Sequence, residues 1–215
     1  MSDASIQLWS GWSFPDSALA SLRAQLVDRL PRDQGMVVRG GWSLGGLRAL
    51  QETLEGRSPA THLILIAGTA RFCADGERWP GLPEANLRAL QRQLARDPRE
   101  ALTGFHRLCA GPDAPADLIH ERTETSLKMG VEALGTGLQT LLTLDMRNAL
   151  AGCRIPVLVL HGMRDTVIPL AAADRMLDDL PLAKLVRHPH AGHDLPLTHP
   201  DWVAEQIAAF LLTPT

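Results

Sequence analysis

A five-residue turn at residues 41–45 constrains this chain more than any other feature of its sequence. The turn reads Gly-Trp-Ser-Leu-Gly, follows a short apolar run and leads into a helical pattern at 47–54. A strand, a G-x-S-x-G turn and a helix in this order predict a sharp reversal that strains Ser43 and exposes its hydroxyl. Gly41 and Gly45 remove the β-carbons that would collide on either side. We therefore expect Ser43 to be a nucleophile, with a glycine-rich turn carrying a surface serine as the alternative.

The composition is that of an ordinary globular protein of one domain. The chain has 215 residues, 45% apolar residues and a net charge of -3, so neither nucleic acid nor an anionic membrane is expected as a partner. Three widely spaced cysteines favour free thiols in a reducing compartment. The sequence shows no run of transmembrane length and no signal-peptide pattern at its start. These features predict a cytoplasmic protein.

The pattern on both sides of the turn predicts an α/β fold with a mostly parallel sheet flanked by helices. Strands are predicted at 6–9, 36–39, 62–67, 155–160 and 183–187, and the continuous apolar run at 62–67 is typical of a central parallel strand. Helical patterns outside the middle of the chain cover 16–30, 47–54, 169–180 and 200–212. Alternating strands and helices imply parallel pairing with right-handed crossovers.

The middle of the chain has a different character from the rest. Helical patterns cover 84–96, 98–109, 114–128 and 131–144, and no strand pattern lies among them. Four helices placed between two strands of a parallel sheet predict a lid. We accordingly divide the chain into a core at 1–70 and 149–215 and a helical lid at 71–148.

Two loops after later strands contain the residues that an activated serine requires. Such a serine needs a general base, and the base needs an orienting carboxylate. Asp165 and His193 each follow a predicted strand, so both lie at the carboxyl edge of the sheet, where open α/β sheets hold their chemistry. Asp194 competes for the role of the acid, but it adjoins the histidine and would reach behind its ring poorly. We predict a triad of Ser43, Asp165 and His193, in the chain order typical of this arrangement.

A metal site is the alternative for the histidine-rich segment near the end of the chain. Four histidines lie close together there: His188, His190, His193 and His199. No H-E-x-x-H motif, cysteine pair or second carboxylate motif accompanies them. We expect neither a metal nor another cofactor.

Six short motifs spread along nearly the whole chain are typical of one enzyme family. They lie at 9–12, 41–46, 71–81, 143–147, 161–169 and 191–193. The turn and the loops of Asp165 and His193 are general to α/β-hydrolases, whereas Trp-Ser in the turn, Trp-Pro-Gly at 79–81 and Leu-Asp-Met-Arg at 144–147 are narrower signals. Together they resemble the pimeloyl-acyl-carrier-protein methyl ester esterases of biotin synthesis, which have the α/β-hydrolase fold.

The resemblance implies a reaction, a partner and further site residues. The reaction would be hydrolysis of the methyl ester on a pimeloyl chain carried by acyl carrier protein, without a cofactor. The backbone N–H groups of Trp12 and Leu44 would bind the oxyanion, a contribution that is typically worth about 2.7–4 kcal/mol per donor. Trp42 and Phe105 would line an apolar acyl channel.

The chain departs from this family before the turn. Typical members begin with a β-hairpin, and more chain separates their first loop from the turn. Here one helix connects residues 6–9 to the strand at 36–39, so a strand and a helix are missing. Loss of an outer strand disturbs a sheet less than loss of an inner one, so we predict that residues 6–9 form the strand beside 36–39. Ser10 would then replace the family's histidine, and the exposed edge would be capped or would pair in a dimer.

Arginines recur on the first predicted lid helix. Arg88, Arg92 and Arg96 are spaced by four residues and share one face, and Arg99 follows within a turn. We call these four residues the arginine stripe. Acyl carrier protein is acidic, so the stripe is a candidate docking surface; the alternative is a solvated helix face.

Two other interpretations of function stay open. A general short-chain carboxylesterase or a C–C bond hydrolase would use the same triad. A binding protein with a decayed site would keep the fold without the chemistry. The oligomeric state does not follow from the sequence.

Overall fold

Five parallel strands form one sheet in a computed structural model that describes residues 5–30 and 35–213. The strands are β1 (Ser5–Trp9), β2 (Val37–Trp42), β3 (His62–Ile66), β4 (Val157–Gly162) and β5 (Ala183–His188). They are adjacent in the order β1-β2-β3-β4-β5, and every neighbouring pair is parallel. The predicted α/β fold with a parallel sheet is confirmed.

Helices cover both faces of the sheet, and four of them lie between β3 and β4. The helices are α1 (Ala20–Arg29), α2 (Leu44–Leu54), α3 (Glu84–Arg96), α4 (Pro98–Ala110), α5 (Ala116–Leu127), α6 (Val131–Thr143), α7 (Leu170–Asp179), α8 (Leu195–Thr198) and α9 (Pro200–Leu212). Short 3₁₀ helices cover Asp16–Leu19 and Arg147–Gly152. We call α3 to α6 the helical insertion. Among the described helices, none has the length and apolar character needed to cross a bilayer.

The first strand lies beside the strand that leads into the turn. Ile6 pairs with Val38 and Trp9 pairs with Gly41, so the prediction that residues 6–9 form the strand beside 36–39 is confirmed. In the part of the chain that the structure describes, β1 is an edge of the sheet. Capping or dimerisation of this edge stays a prediction.

The strand β4 shows why continuous apolar runs predict central strands. Its residues are buried on both faces of the sheet. Val157 and Val159 pack into the cluster beneath the helical insertion, α2 and α7. Leu158 and Leu160 pack into the cluster beneath α1 and α9. A parallel strand that is covered on both faces needs apolar residues at successive positions, with no alternation.

The strand β2 extends three residues beyond its predicted end, through two glycines to Trp42. Glycines usually indicate the end of a strand, but here they allow close approach. A β-carbon at Gly40 would lie 2.4 Å from the carbonyl oxygen of Ile64 on the neighbouring strand. The prediction of 36–39 was therefore too short.

Charged side chains join the two connections between the helical insertion and the sheet. Arg71 lies before α3, and its Nη1 is 2.7 Å from Oδ2 of Asp145, which follows α6. Arg147 binds the same carboxylate at 2.8 Å and Oδ2 of Asp75 at 2.9 Å. The guanidinium of Arg147 also lies over the ring of Trp79. The motifs at 71–81 and 143–147 thus hold the base of the insertion together.

Asp145→Asn is expected to lower the free energy of unfolding by about 1–2 kcal/mol at pH 7. The hydrogen bond from Arg147, opposed by partial burial and helped by Arg71, lowers the pKa of Asp145 to about 2. The ordinary value is about 3.9, so this stabilisation is complete above about pH 4 and is lost as the pH falls through 2. Urea unfolding at pH 7, 4 and 3 measures it.

The control for this prediction is Asp201→Asn. Asp201 is highly exposed and lies 3.7 Å from Arg29, so its replacement should change stability little at any pH. A deficit of Asp145→Asn that stayed constant from pH 7 to pH 3 would contradict an ionic origin.

Candidate active site

Ser43 lies at the sharp turn between β2 and α2. Its backbone angles are φ 55° and ψ -116°, a region that non-glycine residues rarely occupy and that marks strain at functional positions. The neighbouring glycines are required by space as well. A β-carbon at Gly45 would lie 2.2 Å from the carbonyl oxygen of Trp9, and one at Gly41 would lie 2.4 Å from the carbonyl carbon of Gly45. The turn predicted from the sequence is present.

Three buried side chains from separate loops form one hydrogen-bonded chain. Nε2 of His193 lies 3.0 Å from Oγ of Ser43, and Nδ1 of His193 lies 2.8 Å from Oδ2 of Asp165. Because an ionised carboxylate only accepts hydrogen bonds, Nδ1 carries the proton and Nε2 is free to accept from the serine hydroxyl. This is the arrangement that activates a serine as a nucleophile.

The Asp165 carboxylate is held ionised despite complete burial. Its Oδ1 accepts hydrogen bonds from the backbone N–H groups of Val167 at 2.8 Å and Ile168 at 2.9 Å. Burial acts to raise the pKa of Asp165, but the His193 ring, His161 and the Ile168 N–H together hold it below its usual value. An ionised acid at this position can orient the imidazole at neutral pH.

His161 supports the loop that carries Asp165, as its position just before this loop indicates. Its Nε2 donates to the carbonyl oxygen of Ile168 at 3.0 Å and lies 3.5 Å from Oδ2 of Asp165. Burial lowers the pKa of His161, so the ring is neutral and its proton sits on Nε2. The sequence signal was a histidine four residues before the acid.

Asp194, the other candidate acid, is bound to the helical insertion. Its Oδ2 lies 3.1 Å from Nη1 of Arg122 on α5, and the side chains are only 3% and 12% exposed. Burial raises the pKa of Asp194, although Arg122 opposes this shift. The carboxylate next to His193 in sequence thus faces α5, while Asp165 occupies the site behind the imidazole.

Two further polar contacts join the insertion to loops of the core. Ser126 on α5 donates to the carbonyl oxygen of Ser13 and also contacts Nε2 of the buried His106 at 2.9 Å. Nε1 of Trp12 donates to the carbonyl oxygen of Leu134 on α6 at 2.8 Å. With the ion pair at Asp194, these contacts fix the insertion over the carboxyl edge of the sheet.

A mainly apolar cavity of about 200 Å³ opens above Ser43. The helical insertion provides most of its wall, including Leu87, Leu90 and Phe105. The rings of Phe105 and Trp12 meet edge to face with their centroids 4.7 Å apart. Phe105 therefore lines this cavity, whose role as an acyl channel stays a prediction.

The prediction that Trp42 lines this cavity is wrong. Trp42 is fully buried on the other face of the sheet, in the cluster beneath α1 and α9. It packs against Phe14, and its Nε1 donates to the carbonyl oxygen of His193 at 2.8 Å. Successive residues of a strand point to opposite faces, and this one faces away from the insertion. Trp42 supports the His193 loop from below.

The loop after β1 lies beside the serine. A β-carbon at Gly11 would lie 3.5 Å from Cβ of Ser43, and Trp12 and Ser43 line the same cavity. Within residues 5–30 and 35–213, no protein acceptor binds the backbone N–H of Trp12 or Leu44. The loop thus lies where an oxyanion site would need it. That the two N–H groups bind the oxyanion stays a prediction.

The arginine stripe lies on the solvent side of the insertion. Arg88, Arg92 and Arg96 are exposed on α3, roughly opposite Leu87 and Leu94, which are buried. Arg88 is bound to Glu84 on its own helix, and Arg99 is bound to Glu124 on α5. Among the described residues, Arg92 and Arg96 make no ion pair, so they are the members of the stripe that are available to a partner.

The histidine-rich segment packs as a cluster of rings. His188 lies with its ring centroid 4.1 Å from that of His199, and its Nδ1 accepts a hydrogen bond from the Ala191 N–H. Across the described ranges, no group of three or more histidine, cysteine, aspartate or glutamate side chains is arranged to hold a metal ion. Cys73, Cys109 and Cys153 are free, as expected, and all three are buried.

The fold and the buried hydrogen-bonded chain are those of a hydrolase of the α/β class. A family model described as the alpha/beta hydrolase family matches residues 8–206, so the chain belongs to this family. It is 34% identical over 194 residues to a pimeloyl-[acyl-carrier protein] methyl ester esterase of Nitrosomonas europaea. The matched segment covers 86% of this chain and 75% of the relative. A protein of the same name from Aromatoleum aromaticum is 35% identical, covering 82% and 73%.

Solved structures share the fold at lower sequence identity. An esterase from Exiguobacterium antarcticum superposes with a TM-score of 0.86 at 17% identity, covering 99% of this chain and 93% of that one. An enol-lactonase from Burkholderia xenovorans LB400 gives 0.79 at 14% identity, with coverages of 99% and 93%. These similarities extend the agreement in fold to the whole described chain.

Proposed function

We propose that this chain hydrolyses the methyl ester of a pimeloyl group carried on acyl carrier protein, a step of biotin synthesis. The observation that carries the proposal is the buried chain of Ser43, His193 and Asp165 at the floor of an apolar cavity. The relatives that are 34–35% identical add the substrate.

In the first half of the reaction, the acyl group of the ester is transferred to the serine. Oγ of Ser43 attacks the carbonyl carbon while Nε2 of His193 takes its proton, and Asp165 stabilises the resulting imidazolium. The N–H groups of Trp12 and Leu44 receive the oxyanion. When the tetrahedral intermediate collapses, His193 returns the proton to the departing oxygen and methanol leaves.

In the second half, water completes the hydrolysis. His193 removes a proton from a water molecule that attacks the acyl-serine, and the same oxyanion site stabilises the second intermediate. Ester and water thus give methanol and a free carboxylic acid, and Ser43 is regenerated. The apolar cavity suits a chain of methylene groups, because each buried methylene contributes about 0.8 kcal/mol.

The direct test is incubation with pimeloyl-acyl-carrier-protein methyl ester, followed by mass measurement of the carrier. The expected product is lighter by one CH₂ and keeps its thioester, and Ser43→Ala should give no product. Turnover of small methyl esters without turnover of the carrier substrate would point to a general short-chain carboxylesterase. Failure of a fluorophosphonate probe to label Ser43 would point to a binding protein.

Charge reversal on the arginine stripe is expected to slow the carrier substrate alone. Arg92→Glu combined with Arg96→Glu should lower its kcat/KM about tenfold at low salt, because repulsion slows association with an acidic partner. The deficit should shrink as salt screens the charges. Dimethyl pimelate should be unaffected, since it needs no docking. Steady-state kinetics on both substrates at two salt concentrations measure this difference.

Arg154→Glu is the matched control for the stripe. Arg154 is exposed and precedes β4. It therefore lies at the amino ends of the strands, whereas Ser43 lies at their carboxyl ends. Equal losses on both substrates would show that the stripe holds the insertion together. No loss on either would show that it is solvated surface.

A further inference from the structure

A second depression adjoins the cavity above Ser43. It has a volume of about 560 Å³ and lies between the end of α4 and the loops that carry Asp165 and His193. Gly104 and Leu108 line both this depression and the cavity. The two spaces therefore adjoin at α4, and we call the second one the cationic groove.

The cationic groove is lined by arginines that have no carboxylate partner. Arg107 on α4 and Arg164 beside Asp165 are both exposed, and within the described ranges neither takes part in an ion pair. His190 also lines the groove, with its Nδ1 3.4 Å from Nη2 of Arg164. By contrast, Arg122 on the neighbouring helix is bound to Asp194. The guanidinium groups of Arg107 and Arg164 thus give the groove two positive charges that no ion pair among the described residues neutralises.

The opposing charges at the groove are weaker. Asp113 is the carboxylate that lines it, and the carboxyl end of α4 adds a partial negative charge of about half an elementary charge. Asp165 and Asp194 lie nearby, but they are bound to His193 and Arg122 respectively. The two arginines outweigh these opposing charges.

We propose that the cationic groove binds the phosphate of the phosphopantetheine arm that carries the acyl chain. This inference rests on the proposed function, in which the methyl ester lies at Ser43 and the rest of the substrate must leave the cavity. A phosphodiester is the anion on that arm, and two guanidinium groups can bind its oxygens with charge-assisted hydrogen bonds. Arg107 and Arg164 together form the binding site for this anion.

The groove and the arginine stripe would serve different parts of the carrier substrate. The stripe faces solvent on the side of α3 opposite its buried leucines, whereas the groove shares a wall with the cavity. The stripe can reach only the surface of a docked protein. The groove can reach the arm itself, and it would do so even when the arm is detached from the protein.

The test uses two thioesters of pimelic acid monomethyl ester that differ in one phosphate. One is formed with pantetheine and the other with 4′-phosphopantetheine. The wild-type chain is expected to show a kcat/KM about tenfold or more higher for the phosphorylated ester, as expected for lost hydrogen bonds to a charged group. In Arg107→Gln combined with Arg164→Gln, the ratio of the two values should fall to about 1. Using a ratio within each variant removes any common effect on folding or on Asp165.

Two further variants separate the groove from general electrostatics. Arg154→Gln, and Arg92→Gln combined with Arg96→Gln, should each keep the wild-type ratio. A fall of the ratio in these variants equal to that in the groove variant would overturn the inference, because the preference would then follow net charge. Added inorganic phosphate should compete with the phosphorylated ester and not with the pantetheine ester; equal inhibition of both would also overturn it.

The outcomes distinguish this inference from the proposed function. Equal wild-type turnover of the two thioesters would overturn the phosphate site and leave the esterase function standing. Turnover of dimethyl pimelate with no turnover of either thioester would overturn the proposed function, and the phosphate site with it.

Discussion

Asp165→Asn is expected to lower kcat by about 10⁴-fold, because an asparagine stabilises the wrong tautomer of the imidazole. Ser43→Ala and His193→Ala are each expected to lower kcat by about 10⁶-fold. These losses should occur without unfolding, since each change removes few atoms from a site that three separate loops support. Turnover of dimethyl pimelate measures the losses, and circular dichroism with thermal unfolding checks the fold.

Asp194→Asn is the matched control for the acid. It removes a buried carboxylate from the neighbouring position, and it weakens the contact with Arg122 without touching the Asp165–His193 hydrogen bond. We expect it to cost stability and to keep most of the activity. A large loss in Asp194→Asn combined with near-normal activity in Asp165→Asn would transfer the role of the acid to Asp194.

Gly45→Ala is expected to destabilise the chain by at least about 3 kcal/mol, and the purified protein should lose activity with its fold. The added methyl would lie 2.2 Å from the carbonyl oxygen of Trp9 and 2.6 Å from that of Ser10. Both obstacles are backbone atoms next to a sheet edge, so relief requires β1 and α2 to move apart. Urea unfolding measures the loss.

The control for this second prediction is Gly135→Ala on α6. A β-carbon there meets nothing within 4 Å, so alanine should stabilise the helix by up to about 1 kcal/mol. Equal losses at the two glycines would show that the close approach at Gly45 can relax, and would contradict the steric argument.

The sheet and the three triad positions could be predicted because they follow from local rules. Central parallel strands must be apolar on both faces, as Leu158 and Val159 show, so they appear as continuous runs. Asp165 follows such a run and His193 follows the next predicted strand, and the carboxyl ends of parallel strands meet at one edge. The proximity of Ser43, Asp165 and His193 therefore follows from the strands alone.

What could not be predicted depends on which elements pack against which face. The error at Trp42 arose because its face of β2 depends on which helices cover that face, and one of them, α9, lies far from it in sequence. Asp194 and Arg122 are 72 residues apart, and no local pattern relates a loop residue to a helix of the insertion. The same holds for Arg107 and Arg164, which meet at one groove only because α4 packs over the Asp165 loop.

The contacts that fix the helical insertion have a consequence for which esters can react. Arg122 binds Asp194, Ser126 binds the carbonyl of Ser13, and Trp12 binds the carbonyl of Leu134. Moving the insertion away from the sheet would break all three contacts together and would expose the ring of Trp12, which packs against Phe105, to water. We infer that an ester enters end-first while the insertion stays in place. The alcohol group of the ester must then be small, as methyl is. The part of the substrate that stays outside the cavity is not restricted in size.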